Sequence, residues 1–86
     1  MTRGDMKQLL EGLRLLRAGE WDAAHRIAQD DLTTHGSWLH GIVHMAEPDE
    51  SNARYWYRLA ARPFPGMDAV EREMAALEKA LGNSKM

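Results

Sequence analysis

Apolar residues in this chain recur at intervals of three and four, and no stretch alternates between apolar and polar residues over the length of a strand. Successive side chains on a helix are turned by about 100°, so this spacing places the apolar side chains on one helix face. The pattern predicts an all-α protein of about five helices, arranged as two antiparallel hairpins and a C-terminal capping helix. The predicted helices span roughly residues 5–18, 20–32, 37–46, 48–62 and 68–81.

The distribution of apolar residues within the helices gives more specific expectations. The fourth helix has the widest apolar arc, about two-thirds of its circumference, and a helix of that kind is normally packed between others. Its apolar residues are Ala53, Tyr55, Trp56, Tyr57, Leu59 and Ala60. Leu32 extends the apolar face of the second helix, and Asp68 with Glu71 has the spacing of a capping box. We therefore expect a central fourth helix, a buried Leu32, a turn at residues 33–36 and a capped last helix.

The bulk composition is that of one small globular domain. The 86 residues include 44% apolar and 28% charged residues, which excludes wholesale disorder. We treat residues 1–86 as a single domain whose ends, residues 1–4 and 83–86, are expected to fray. A net charge of −2 gives no basic field, so nucleic acid is an unfavoured partner. The chain has no cysteine, which excludes disulfides and thiolate zinc sites.

The sequence also bears on location. No apolar run approaches the ~20 residues that are needed to cross a bilayer. The first residues, Met1 to Asp5, are not followed by the apolar core of a signal peptide. We therefore expect a cytoplasmic protein that does not bind membranes.

Two parts of the chain share one plan, in which a helix, a tight turn and a second helix follow one another. Gly12 precedes Ala24 by twelve residues, and Gly41 precedes Ala53 by the same interval. Each residue of the second pair follows its counterpart by 29 residues, which is the period of the repeat. We expect these small residues to let paired helices approach closely. Such a hairpin cannot bury its own apolar face, which predicts that the two units stack.

The residues of these units resemble known repeat families. The segment Leu15-x-x-x-Gly19-Glu20-Trp21-x-x-Ala24 is similar to the turn of a tetratricopeptide repeat, although the period is shorter. Asn52-Ala53-x-Tyr55-Trp56-Tyr57-x-x-Ala60-Ala61 resembles the related SEL-like repeats. The chain is also similar to a group of short uncharacterised bacterial proteins, through Trp21-Asp22-Ala23-Ala24-His25, Trp38-x-His40-x-x-x-His44 and Tyr55-Trp56-Tyr57-Arg58. These resemblances imply a tetratricopeptide-like fold and no particular activity.

Histidines are the candidate metal ligands. His40 and His44 are four residues apart on the third predicted helix, a spacing at which two imidazoles can share a metal ion, and Glu47 follows one turn later. His25 lies on the apolar face of the second helix. One interpretation is a site for a divalent transition metal made of His25, His40, His44 and Glu47. The alternative is a hydrogen-bonded, buried His25 with the other histidines at the surface, in a protein that has no cofactor.

Arg54, Arg58 and Arg62 are spaced by four residues on the fourth predicted helix, and we call them the arginine ladder. Guanidinium groups bind carboxylates and phosphates with paired hydrogen bonds, so the ladder is a candidate clamp for an acidic peptide or another anion. The alternative is a solvated face whose arginines pair with acidic residues or cover aromatic rings. Tyr55 and Trp56 are the aromatic residues that we expect to be exposed and to anchor a partner.

No catalytic constellation is evident, so we predict that the protein is not an enzyme. Ser37 and His40 have no orienting acid, and the glycines form no phosphate-binding loop. The leading hypothesis is a small protein–protein interaction module or adaptor, whose partner is another protein or a second copy in a homodimer. Its surface would be a groove between the first, third and fifth helices, together with the arginine ladder. The alternative is a metal- or small-ligand-binding protein that uses the histidines.

Overall fold

The computed structural model describes residues 3–83, with side chains for residues 6–82. The α-helices α1 to α5 span Arg3–Arg17, Trp21–Gln29, Thr34–Ala46, Glu50–Leu59 and Val70–Asn83, and a 3₁₀ turn spans Met67–Ala69. This part of the chain contains no strand, which confirms the prediction of an all-α protein with about five helices. None of its helices is long and apolar enough to cross a bilayer. Of the ends that we expected to fray, residues 1, 2 and 84–86 lie outside the described part.

Short turns fold the first four helices into two hairpins. Gly19 ends α1 with φ of +82°, a conformation that glycine adopts without steric cost. The amide of Glu20 donates to the carbonyl of Leu15 at 2.9 Å, and α2 begins at the next residue. Asp49 accepts a hydrogen bond from the amide of Asn52 and caps α4 after an equally short turn. α1 packs against α2 and α3 against α4, as predicted.

The central helix is α3. All residues from 36 to 45 are buried, and α3 packs against each of the other four α-helices. The prediction that the fourth helix is central is therefore wrong. Only Ala53 and Tyr57 of α4 are buried, whereas Tyr55 and Leu59 are 46% and 48% exposed. The sequence pattern misled because α3 buries the polar residues Ser37, His40 and His44, whereas α4 leaves part of its wide apolar arc in solvent.

Four predicted helix boundaries also differ. α4 ends at Leu59 and not at residue 62, so Arg62 of the arginine ladder lies after the helix. α2 ends at Gln29, so Leu32 lies in the following loop and is 84% exposed rather than buried. Residues 33–36 are not a turn, because the hydroxyl of Thr33 accepts a hydrogen bond from the amide of Gly36 at 3.0 Å and starts α3 at once. Asp68 lies inside the 3₁₀ turn, so the last helix begins at Val70 instead of at a capping box.

The two glycines of the repeat mark close helix contacts, as expected. A methyl group added at Gly41 would lie 2.5 Å from Cδ1 of Tyr57 and 3.4 Å from the carbonyl oxygen of Ala53. A methyl group at Gly12 would lie 2.8 Å from Cδ2 of Leu39 and 3.4 Å from Cγ2 of Ile27. The second hairpin therefore has its small residues face to face. In the first hairpin, Ile27 faces the glycine instead of the expected Ala24.

The last helix covers the open side of the hairpins. α5 packs against both α1 and α3, which also contact each other. The groove that we expected between the first, third and fifth helices is therefore closed, and this part of the prediction is wrong. Apolar side chains fill the space, and each contributes about 1.5–3 kcal/mol by burial. The buried large apolar residues that α1 and α5 contribute are Leu9, Leu13, Leu16, Met74, Leu77 and Leu81.

A buried carboxylate ties α5 to the second hairpin. Glu73 is only 4% exposed, and its oxygens accept hydrogen bonds from Trp38 Nε1 at 3.0 Å and Tyr57 Oη at 2.7 Å. Arg62 adds two hydrogen bonds of 2.9 Å each. Burial raises the pKa of the Glu73 carboxyl, but the hydrogen bonds from these three residues outweigh that effect and hold the pKa below its ordinary value. Glu73 is therefore an ionised carboxylate that accepts hydrogen bonds from α3, from α4 and from the segment that follows α4.

Candidate functional site

The structure brings together His25 of α2 with His40 and His44 of α3, and we call these three residues the histidine cluster. Candidate ligand atoms of the three rings all lie within 4.8 Å of one another. The Nε2 atoms of His25 and His40 are 3.1 Å apart. His40 and His44 are buried, whereas His25 is partly exposed. The cluster thus lies at the seam between the two hairpins, with His25 toward solvent.

Two tryptophans hold rings of the cluster in place. Trp21 stacks on His25 with ring centroids 4.8 Å apart, and its Nε1 donates to the carbonyl of Val43 at 2.8 Å. Trp56 stacks on His40 with centroids 3.8 Å apart and 10° between the ring planes. Trp56, expected to be an exposed anchor, is partly buried by this contact. Trp21 was not predicted to belong to the cluster, although its spacing of four residues from His25 on one helix was a usable signal.

Glu47 lies beside the cluster rather than within it. Its Oε1 is 3.1 Å from Nδ1 of His44, so the carboxylate favours the tautomer with the proton on Nδ1 and leaves Nε2 free. Glu47 and Asp49 also lie within 4.8 Å of the same ring. Asp49 is engaged in capping α4, through hydrogen bonds from the amide and side chain of Asn52. Glu47 therefore positions a histidine instead of adding a fourth convergent ligand.

Burial disfavours protonation of two rings of the cluster, those of His40 and His25. It lowers the pKa of His40 from 6.5 to about 4, with additional contributions from the neighbouring His25 and His44. Burial, followed by the effect of His44, also lowers the pKa of His25. Nδ1 of His40 is buried and has no hydrogen-bond partner among the described residues. An unpaired buried nitrogen is uncommon in a purely structural core, so the cluster is not a completed hydrogen-bond network.

The low pKa of His40 leads us to expect that acid weakens the fold. An unfolded chain protonates this imidazole near pH 6.5, whereas the folded protein resists protonation until about pH 4. The unfolded state therefore binds more protons within this window, and the free energy of unfolding decreases as the pH falls through it. Urea denaturation followed by circular dichroism, repeated at several pH values between about 4 and 6.5, measures the slope of the free energy of unfolding against pH. We expect a shallower slope for His40→Gln than for the wild type. Equal slopes would contradict the conclusion that His40 has a lowered pKa in the folded protein.

Two members of the arginine ladder have partners within the protein. Arg62 pairs with the buried Glu73, and its guanidinium lies 3.9 Å from the centre of the Trp38 ring. Arg54 forms an ion pair of 2.8 Å with Glu50, one turn earlier on α4. The interpretation of the ladder as a set of internally paired arginines therefore fits Arg54 and Arg62.

Arg58 is different, because it is exposed and has no ion pair among the described residues. It is flanked on α4 by Tyr55 and Leu59, which are about half exposed. The guanidinium lies 6.0 Å from the centre of the Tyr55 ring. Arg58 and Tyr55 were predicted from the sequence, whereas Leu59 was expected in the core. A shallow cavity of about 220 Å³ adjoins this face and is lined by Arg54, Tyr57, Arg58, Arg62 and Phe64.

Comparison with models of protein families, with curated proteins and with solved structures finds no match for this chain. The likeness to tetratricopeptide and SEL-like repeats therefore stays a prediction from the residues. The role of each candidate site has to be inferred from its own geometry.

Proposed function

We propose that this protein is a small interaction module that binds an acidic, partly apolar segment of a partner protein on α4. The observation that carries the proposal is the exposed face of α4, on which Tyr55, Leu59 and Arg58 lie together and Arg58 has no ion pair among the described residues. Tyrosine and arginine are among the residues that contribute most to binding at protein interfaces. A carboxylate of the partner would pair with Arg58, and apolar side chains would cover Tyr55 and Leu59.

The charge of the cavity favours a carboxylate over a polyanion. Three guanidinium groups line it, but Arg54 and Arg62 already have acidic partners, so about one positive charge is uncompensated by the part of the chain that the structure describes. Binding to nucleic acid depends on neutralising many phosphates. A single carboxylate in a protein segment requires only one free guanidinium, which can donate two parallel hydrogen bonds.

This role is that of an adaptor without catalytic activity, in the cytoplasm, and it is consistent with the resemblance to tetratricopeptide-like repeats. The binding surface differs from the one that we predicted from the sequence. It lies on the solvent side of the second hairpin, because α5 occupies the inner face. A second copy of the chain is an alternative occupant of this surface, and sedimentation distinguishes it from a partner protein.

Selection from a displayed peptide library tests the proposal. We expect enriched peptides to carry Asp or Glu next to aromatic or aliphatic residues. The loss of a charge-assisted contact should weaken binding of such a peptide to Arg58→Glu by about 10- to 100-fold in fluorescence anisotropy. Arg72→Glu is the matched control, because Arg72 is an exposed arginine on α5 and its change in charge is the same.

Three results would contradict the proposal. The first is a peptide pool without acidic residues, and the second is equal weakening by Arg58→Glu and Arg72→Glu. The third is salt-dependent binding of single-stranded DNA or RNA that Arg58→Glu abolishes, which would indicate a nucleic-acid surface. Sedimentation that shows a dimer dissociated by Arg58→Glu would replace the partner protein with a second copy.

A further inference from the structure

The histidine cluster has the ligand chemistry of a transition-metal site. Imidazole nitrogens suit zinc, cobalt, nickel and copper, whereas calcium and magnesium require oxygen ligands. Metals bind an imidazole through a ring nitrogen that carries no proton, and Nδ1 of His40 is buried without a hydrogen-bond partner among the described residues. His44 keeps Nε2 available, since Glu47 occupies Nδ1.

The distances are close to those of a tetrahedral site. Zinc binds imidazole nitrogen at about 2.0–2.1 Å, so two nitrogens on one tetrahedral ion are about 3.3–3.4 Å apart. The Nε2 atoms of His25 and His40 are 3.1 Å apart, and ligand atoms of all three rings lie within 4.8 Å. The two most widely separated ligand nitrogens therefore have to approach each other by at most about 1.5 Å to reach the distance of a tetrahedral site. Side-chain torsions can supply this movement. His40 and His44 have the four-residue spacing of helical metal ligands.

Neighbouring residues hold the rings as metal sites require. Metal-binding histidines usually donate the second ring N–H to a carboxylate, a contact that fixes the ring and raises its basicity. His44 has that contact with Glu47. Stacking on Trp21 and Trp56 restrains the rings of His25 and His40. The site thus needs little reorganisation to accept an ion.

We propose that the histidine cluster binds one divalent transition-metal ion, zinc by preference, with cobalt as its spectroscopic substitute. His25 supplies a ligand from the first hairpin, and His40 and His44 supply two from the second. The ion therefore cross-links the two hairpins across their seam. Three protein ligands leave a fourth position for water or another small ligand. This proposal does not depend on binding of a partner to α4.

Cobalt titration of the metal-free protein tests the site. We expect one equivalent of Co²⁺ to bind, with visible absorption typical of tetrahedral coordination, and Zn²⁺ to displace it. Zn²⁺ at 100 times its dissociation constant should raise the Tm by about 10 °C or more. Loss of one of three ligands in His25→Gln should weaken binding by more than about 100-fold, and loss of the supporting carboxylate in Glu47→Gln by about 10- to 100-fold.

The variants are chosen to remain folded, because His25 is partly buried and Glu47 is exposed. Circular dichroism without metal verifies this. The matched control is His35→Gln, which changes a histidine of α3 outside the cluster and should leave affinity and the Tm increase unaltered. The proposal is overturned if neither metal binds or shifts the Tm, if His25→Gln binds like the wild type, or if His35→Gln weakens binding equally.

Discussion

Glu73→Ala is expected to lower the free energy of unfolding by about 3–5 kcal/mol, because it removes the buried acceptor of an ion pair. The Nε1 group of Trp38 and the hydroxyl of Tyr57 would then be buried donors without a partner. Arg62, whose side chain is 35% exposed, can turn to water and lessen the loss. A chain of this length has a total stability of about 4–13 kcal/mol. We therefore expect partial unfolding at 37 °C, measured by urea denaturation with circular dichroism.

Two comparisons isolate the reason for this loss. Glu73→Gln keeps an acceptor of nearly the same shape but removes the charge, so a smaller loss of about 1–3 kcal/mol is expected. Glu78→Ala removes a carboxylate from the same helix whose ion pair with Arg17 is solvent-exposed, and its effect should be at most about 1 kcal/mol. A loss for Glu73→Ala no larger than that for Glu78→Ala would show that the buried network does not stabilise the fold.

Gly41→Ala is the second substitution with a large expected effect. The added methyl group would lie 2.5 Å and 2.6 Å from two atoms of the Tyr57 ring. The ring cannot easily withdraw, because Tyr57 is fully buried and its hydroxyl donates to Glu73. Overpacking of this kind costs about 1–3 kcal/mol and more where backbone must move, so we expect a loss of about 3 kcal/mol in urea denaturation.

Two other glycines provide graded controls for that measurement. At Gly12 the nearest atom is the end of the flexible Leu39 side chain, at 2.8 Å, so Gly12→Ala should be milder. At Gly82 no atom of the described residues lies within 4 Å of an added methyl group, and the residue is within α5. Alanine is the better helix former by up to about 1 kcal/mol, so Gly82→Ala should be neutral or stabilising. Equal effects at Gly41 and Gly82 would contradict the close packing of the second hairpin.

Local sequence signals were sufficient for the elements of the fold. The apolar spacing of α1 and α5 and the breaks at Gly19 and Pro48 predicted five helices in the order that the structure has. Gly41 and Ala53 predicted the tight contact within the second hairpin. The helices and breaks depend on residues within a few positions of one another, and the hairpin contact joins helices that are consecutive in the chain, so no knowledge of the packing between hairpins was needed.

The candidate sites were predictable only in part. The four-residue spacing of His40 and His44 marked a pair on one helix face. Their meeting with His25 depends on how α2 packs against α3, a contact between hairpins that no spacing in the chain specifies. The arginine ladder was visible as a pattern, and Arg54 pairs locally with Glu50, but the pairing of Arg62 depends on the position of Glu73 on α5.

The sequence by itself determined the helical class, most of the helix ends and the residue types at both sites, because turn residues and apolar periodicity act locally. Only the tertiary structure decided that α3 is central, that α5 closes the inner face and that Leu59 faces solvent. The physical reason is that burial depends on which surfaces meet. A polar residue such as Glu73 can be buried when partners from three other positions in the chain satisfy it, and an apolar residue such as Leu32 is exposed where no helix covers it.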